Sequence, residues 1–471
     1  MKKTIFSILI GLMSTLSFAQ FESNNGVPTK QESNALYDQM DLQRATQLYL
    51  WAIPTIGEKG WENANIDAGA SNDGQFVLYT GREGVAGILT PNQTVQYVIA
   101  FYDFNKLGPA VWEIPKGKTA GYVADAWQRP IIDCGITGND KGQGTKLLVI
   151  GPGQDVPSDT KGYTVVHCPT SIVWFGTRNM EVDQKERRRV NNEFTAYPLD
   201  QPNLKGRPML EKKGDAFIQA QPHGMLFWEN LNEVIQREVV QERDRFFLAM
   251  LKNLGIEKGK PFLPNERQKR ILIEGEKLGY QMAINNSFRK RVEKGIWWDD
   301  PSNNWRVALV NNANQKTEYY DQLDERASWF HEAIGSTNAM VCSKPGPGSV
   351  YVGQYYDENN KGFDGGGNYI LHIPKDVPAS QFWSVCIYES HNRILIPNGT
   401  DKSEVNSSNN LVQNKDGSFD VFIGPNCPKG MEKNWVKTLE GQNWFTYFRI
   451  YGPQQAWFDK TWKLDNIKEN K

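Results

Sequence analysis

TVQYVIAFYDFNKLGPAVWEIPKGKTAGYVADAWQR, residues 94–129, holds three short runs of β-branched and aromatic side chains, at 94–102, 110–114 and 121–129, separated by Asn, Gly, Pro and Lys. Runs of this length and composition, bounded by turn residues, predict strands rather than helices. Working outward, 76–80, 146–150, 163–167 and 172–175 repeat the pattern. Seven strands without an intervening amphipathic helix favour an antiparallel sandwich over a doubly wound parallel sheet. Strands return at 350–356, 369–373, 382–388, 419–423 and 444–451. Between the two sets the period changes. Residues 229–254 carry Leu231, Val234, Ile235, Phe246, Phe247, Met250 and Leu251 as an apolar stripe, with Gly255 placed to cap the end. Helices are also expected at 265–279, 281–293 and 321–334, and a lead helix at 38–51 that Pro54 stops. The expected fold class is α+β, mainly β: two antiparallel β-sandwich or jelly-roll-like domains joined by a helical region. The expected boundaries are 20–60 for the helical lead, 61–225 for the first sandwich, 226–340 for the helical region and 341–471 for the second sandwich.

The 471 residues include 15 Trp, 18 Tyr and 22 Phe, a load that suits strands and cores first and ligand-facing surfaces second. The first residues are basic (Lys2, Lys3), then apolar from Ile5 to Leu16, then small at Ser17-Phe18-Ala19. That order predicts a secretory signal over 1–19 and a periplasmic or secreted protein. The whole chain has 53 basic and 54 acidic residues. Loss of Lys2 and Lys3 with the signal leaves a net charge of about −3, which argues against a nucleic-acid partner. No later stretch is apolar for the ~18 residues a membrane span requires. Cys134, Cys168, Cys342, Cys386 and Cys427 are widely spaced and match no zinc ribbon, so most are expected as small buried hydrophobes.

No nucleophile elbow, zinc helix, phosphate-binding loop or dinucleotide fingerprint occurs. The candidates are therefore side chains brought together by strand alternation. On 121–129, period two places Asp125, Trp127 and Arg129 on one face, where an indole could stack on a guest while the charges take hydroxyls or a carboxylate. A buried Asp125–Arg129 ion pair bracketing a core Trp is the competing reading. On 444–451, Phe445, Tyr447, Arg449 and Tyr451 share a face, and a guanidinium among rings suggests either a stacked cation or a lined anion site. His372 and His391 lie on or beside strands, and either could serve as a general base if a carboxylate approaches it. Asp133, Asn139 and Asp140 in DCGITGNDKGQG supply too few oxygens at the wrong spacing for calcium and read as a tight turn. No metal set and no cofactor follows from the residues.

RATQLYLWAIP (44–54), LTPNQT (89–94), GPAVWEIP (108–115) and DAWQRPIIDCGITGNDKGQG (125–144) resemble the bacterial family called domain of unknown function 1254. LGIEKGKPFLPNERQKRIL (254–272), LDERASWFHEAIG (323–335), FDGGGNYILHIPKDVPASQFWSVCIYE (363–389) and NWFTYFRIYGPQQAWFDKTWK (443–463) are similar to its partner family, domain of unknown function 1214. The resemblance implies two sandwich or jelly-roll-like domains around a helical region in exported proteins; it implies no activity. Asn92, in LTPNQT, joins the ligand-binding candidates, which are then Asn92, Asp125, Trp127, Arg129, His372 and Arg449. The function expected is an exported protein that binds a small polar or saccharide-like ligand. A hydrolase or lyase using carboxylate and histidine acid–base chemistry is the alternative, and a structural or assembly role in the envelope a third. A homo-oligomer is compatible with the sequence.

Overall fold

The computed structural model describes residues 26–212, 217–291, 295 and 297–470. The expected signal over 1–19 lies outside the described residues. Helix makes up 28% and strand 25% of the chain, so the balance is even rather than mainly β. The first strands are β1 (Val77–Tyr79), β2 (Gln96–Asp103), β3 (Ala110–Ile114), β4 (Thr119–Asp125) and β5 (Pro130–Gly135). They are followed by β6 (Thr145–Ile150), β7 (Thr164–His167), β8 (Ile172–Asn179), β9 (Thr195–Pro198) and β10 (Leu210–Glu211). These form one six-stranded sheet, β10-β1-β2-β8-β4-β5, and one four-stranded sheet, β7-β6-β3-β9. The later strands begin with β11 (Arg306–Val307), β12 (Ser349–Gln354), β13 (Phe363–Asp364), β14 (Tyr369–Ile373) and β15 (Ala379–Glu389). β16 (Glu404–Asn406), β17 (Phe419–Gly424), β18 (Trp435–Lys437), β19 (Asn443–Pro453) and β20 (Lys468–Glu469) complete them. They make the sheets β11-β12-β19-β15-β16, with β13 paired beside β19, and β18-β17-β14-β20.

Alternation sorts each large sheet into two faces. Val98, Ala100, Val123 and Phe175 pack with Trp112, Leu147 and Val149 of the neighbouring four-stranded sheet. Val352, Val385, Phe448 and Ile450 pack with Leu371, Ile373, Val421 and Ile423 of the other. The opposite faces of both large sheets meet a shared central core built on the helices, which joins Ile99, Tyr122 and Trp174 from one side to Tyr351, Tyr388, Phe445 and Tyr447 from the other.

The helix at the centre is α1 (Lys30–Asp67), far longer than the expected 38–51. It starts at a capping box: the Thr29 hydroxyl accepts from the Glu32 amide at 3.3 Å and the Glu32 carboxylate accepts from the Thr29 amide at 2.7 Å. Pro54 sits inside it and does not end it. A proline there forfeits one hydrogen bond and costs roughly 3 kcal/mol. Burial on nearly all sides offsets that: Leu48 to Ile53 and Ile56, Trp61 and Ala64 all lie in the central core. After α2 (Gly81–Val85) and α3 (Gln184–Glu193), the expected helix at 229–254 is two, α4 (Met225–Arg237) and α5 (Arg245–Asn253), with Gly255 at φ +91° ending the second. The helices expected at 265–279 and 281–293 are one, α6 (Glu266–Phe288), and α7 (Leu323–Glu332) follows. Gly275 and Gly279 do not break α6. They let it lie against α1, where a Cβ at 275 would stand 2.4 Å from the Ala45 Cβ and one at 279 would stand 2.7 Å from the Tyr49 Cβ. A short helix α8 (Gln455–Phe458) lies near the C-terminus. Among the described residues no helix is long and apolar enough to cross a membrane.

Candidate functional site: a cationic cavity between the two large sheets

Where the inner faces of the two large sheets diverge, they leave a cavity of about 80 Å³. Its floor is three strands in register. Tyr97, Arg178 and Ala120 form one rung across β2, β8 and β4, and Ile99, Gly176 and Tyr122 the next. The opposite wall carries Tyr351 of β12 with Tyr447, Arg449 and Tyr451 of β19. The segment 88–91 and residues 329–340 close the sides.

Two guanidiniums enter this space. Arg449 donates from Nη1 to the Tyr388 hydroxyl and from Nη2 to the Thr90 carbonyl at 2.6 Å. Its head lies 5.2, 5.5 and 5.8 Å from the ring centres of Tyr447, Tyr388 and Tyr351. Arg178 makes one hydrogen bond, from Nη1 to the Tyr351 hydroxyl at 3.4 Å, and lies 5.8 Å from the Tyr451 ring. Neither forms an ion pair with a carboxylate among the described residues; the groups that weigh on them electrostatically are tyrosines and Cys386. Guanidinium keeps its charge when buried, so the cavity carries two positive charges and no negative lining group. Arg449 is buried and Arg178 half-buried; a buried charge is ordinarily paired.

The tyrosines are held as neutral donors. Burial pushes the Tyr97, Tyr122 and Tyr447 hydroxyls above their usual range. Tyr447 donates to Glu332 at 2.5 Å and Tyr355 donates to the same oxygen at 2.6 Å. Lys290 neutralises that carboxylate from the far side at 2.6 Å. The Thr90 hydroxyl, on a residue at φ +38°, and the Trp174 indole N–H are buried at the cavity wall without a hydrogen-bond partner among the described residues.

The six candidates fall in three places. Arg449 lines the cavity, and Asn92 bonds to two residues of its wall. The Asn92 amide nitrogen donates to the Tyr451 hydroxyl at 3.1 Å, and its backbone N–H donates to Tyr97 at 2.8 Å. Asp125, Trp127 and Arg129 lie elsewhere, because the strand they were expected to share ends at Asp125 and residues 126–129 form the β4–β5 turn, with Gln128 at φ +59°. The Asp125 carboxylate accepts from the Trp127 and Arg129 backbone amides at 2.8 and 2.9 Å. Arg129 pairs with Asp244 at 3.0 Å, and Trp127, only 3% exposed, packs on Trp51 with ring centres 4.5 Å apart. The period-two argument fails there because Asp125 caps a turn. His372 lies on the outer side of the second C-terminal sheet, paired across strands with Asp420 at 2.7 Å.

Reading the sequence for sites misses Arg178. The strand expected at 172–175 stops before Gly176, which reads as punctuation, whereas β8 continues to Asn179. The alternation Trp174-x-Gly176-x-Arg178 was the available signal. A second group of polar rings lies at the surface beside His391. His223 Nδ1 is 2.9 Å from the buried Glu276 carboxylate, its ring stacks 6.0 Å from His391, and Tyr280 packs edge-on against it at 4.8 Å. The five cysteines are all free, with Cys134, Cys168 and Cys386 buried.

Comparison with known proteins places this geometry. A search of curated proteins finds no match. The crystal structure of the VPA0106 protein from Vibrio parahaemolyticus superposes with a TM-score of 0.57 at 16% identity, covering 92% of this chain and all of that one. An uncharacterised protein from Burkholderia cenocepacia aligns over 93% of this chain and 97% of its own at 11% identity, with a TM-score of 0.43. Residues 75–198, which hold the cavity floor, match the family described as Protein of unknown function (DUF1254), and residues 348–455, which hold the opposite wall, match Protein of unknown function (DUF1214), so the chain carries both families' segments in that order.

Proposed function

We propose that this protein binds a small polar anion in the cavity between its two large sheets. One observation carries the reading: Arg178 and Arg449 face one cavity with no carboxylate among the described residues to neutralise them. A bound anion would receive charge-assisted hydrogen bonds from both and further donors from the tyrosines, in surroundings where such bonds are strong. A neutral saccharide, the broader expectation from the sequence, would leave both charges unpaired. The wider reading of the chain is an exported protein in which each large sheet and its four-stranded neighbour form a sandwich, with the helices between.

The test is calorimetric titration of the purified protein with formate, acetate, phosphate, sulfate and a neutral sugar. At least one anion should bind and the sugar should not. Arg178→Met should weaken that anion tenfold or more, since a charged hydrogen bond is worth about 1.5–3 kcal/mol. Absence of binding by every anion defeats the reading.

Acid–base catalysis, the second reading, is favoured by the His223–Glu276 pair. A buried carboxylate on Nδ1 leaves Nε2 as the free base, the arrangement a general base uses. The cavity itself has no histidine or carboxylate in its lining. Hydrolysis of a chromogenic ester that is lost in His223→Gln but kept in Arg178→Met would support a separate catalytic site; equal rates in His223→Gln and the parent would remove it.

A further inference from the structure

Away from Arg178 the cavity lining becomes largely apolar. Along β8 the inward residues run Arg178, Gly176, Trp174, at about 7 Å per pair of residues. The Trp174 ring leans back over Gly176: a Cβ at 176 would stand 2.5 Å from its Cζ3 and 3.4 Å from Cδ1 of Ile99. Gly176 is thus required by space, and the Trp174 ring that covers it is an uncharged surface next to the guanidinium. Ile88, Ile99, Tyr122, Trp174 and Met340 line the cavity together with Gly176. A fully hydrated oxyanion such as phosphate could satisfy Arg178 and Arg449 yet would leave this half to water, whose polar partners there are the Trp174 indole N–H and the Tyr122 hydroxyl. An apolar body attached to the anion would displace that water favourably.

Size narrows the class. The cavity, at about 80 Å³, is roughly half of the ~150 Å³ apolar cavity known to accept benzene, yet several times the roughly 10–15 Å³ that one water needs. Resting on the anion-binding reading above, we infer that the ligand is a short aliphatic carboxylate of three to five carbons, its carboxylate between Arg178 and Arg449 and its chain against Trp174 and Ile99. Both carboxylate oxygens then meet guanidinium and tyrosine donors, and the hydrocarbon leaves water.

The experiment is a chain-length series on the unaltered protein: formate, acetate, propionate, butyrate, valerate, hexanoate and benzoate, with 1-butanol as the uncharged counterpart and phosphate as the hydrated anion, all by calorimetry. Affinity should rise about fourfold with each added methylene, to a maximum between propionate and valerate. It should fall for hexanoate and benzoate, and 1-butanol should not bind. Gly176→Ala, whose Cβ displaces the Trp174 ring, should flatten the dependence on chain length. Equal affinity for formate and butyrate, or phosphate binding tighter than any carboxylate, overturns this inference and leaves the anion site standing. Hexanoate or benzoate as the tightest ligand overturns the size limit. Failure of the whole series, phosphate included, overturns both readings together. If Gly176→Ala does not fold, the series on the unaltered protein decides alone.

Discussion

Among the described residues Arg178 has one long side-chain hydrogen bond and no counter-ion, which is an expensive way to hold a side chain whose only task is to support the fold. Replacing it by Met should therefore leave the ligand-free protein as stable as before or raise its stability by up to about 1 kcal/mol, read from urea denaturation. A loss of more than about 2 kcal/mol would mark Arg178 as structural instead. Glu238 gives the second prediction at this scale. Burial pushes its carboxyl up to about 7, against the pull of Arg237 and of the Ser171 and Ile172 amides. In the unfolded chain a Glu titrates near 4.3, so between roughly pH 4 and 7 the folded protein keeps a proton that the unfolded chain has lost. The resulting stability is complete below about pH 4 and disappears as pH rises through about 7. Asp133, pushed up to about 6 by burial, adds a slope of the same sign. Denaturation midpoints at about pH 5 and 8 should differ less in Glu238→Gln than in the parent; an unchanged difference would assign the slope to other groups. Of the individual candidates, Arg449 was legible because β19 keeps period two throughout, whereas Asp125, Trp127 and Arg129 were not, because a turn and a strand of that composition look alike until the Asp125 cap is seen.

At the scale of elements, α6 against α1 shows where local preference yields to packing. Gly279 reads as a helix break in the sequence, and the helix passes through it because Tyr49 of α1 occupies the space of its missing side chain. Gly275→Ala would gain about 1 kcal/mol of helix propensity. It must nevertheless push the helices apart at Ala45, a backbone-level clash that costs typically 1–3 kcal/mol. Net destabilisation by chemical denaturation is the expected result, and a stabilised variant would show that α1 and α6 are free to separate. The strands were the most legible elements, since their runs are short, branched and punctuated. Helix limits were less so. The Thr29–Glu32 capping box announces the true start of α1, whereas nothing local announces that Pro54 will be overridden, because the burial that offsets it comes from residues distant in sequence. The split of 229–254 into α4 and α5 follows from Glu238, whose carboxylate is committed to the Ser171 and Ile172 amides and so holds the chain extended after Arg237.

For the whole molecule, the segment 90–94 ties the two halves together. Thr90 receives Arg449 on its carbonyl and donates its amide to the Arg393 carbonyl at 2.8 Å. Pro91 accepts from Tyr388 at 2.7 Å, and the Gln93 amide and Thr94 hydroxyl donate to Glu404 at 3.0 and 2.9 Å. With the central core also shared, the halves should unfold as one unit: tryptophan fluorescence and far-ultraviolet dichroism should give coincident melting curves, and two separated transitions would contradict this. Asn92 lies in the middle of that tie, its side-chain nitrogen divided between Ser384 and Tyr451 of the other half. Heredity inherits this bookkeeping: a lineage that exchanges the residue at 92 should answer with a change at 384 or 451, so descendants of this gene should show those positions drifting in concert although they lie 292 and 359 codons away.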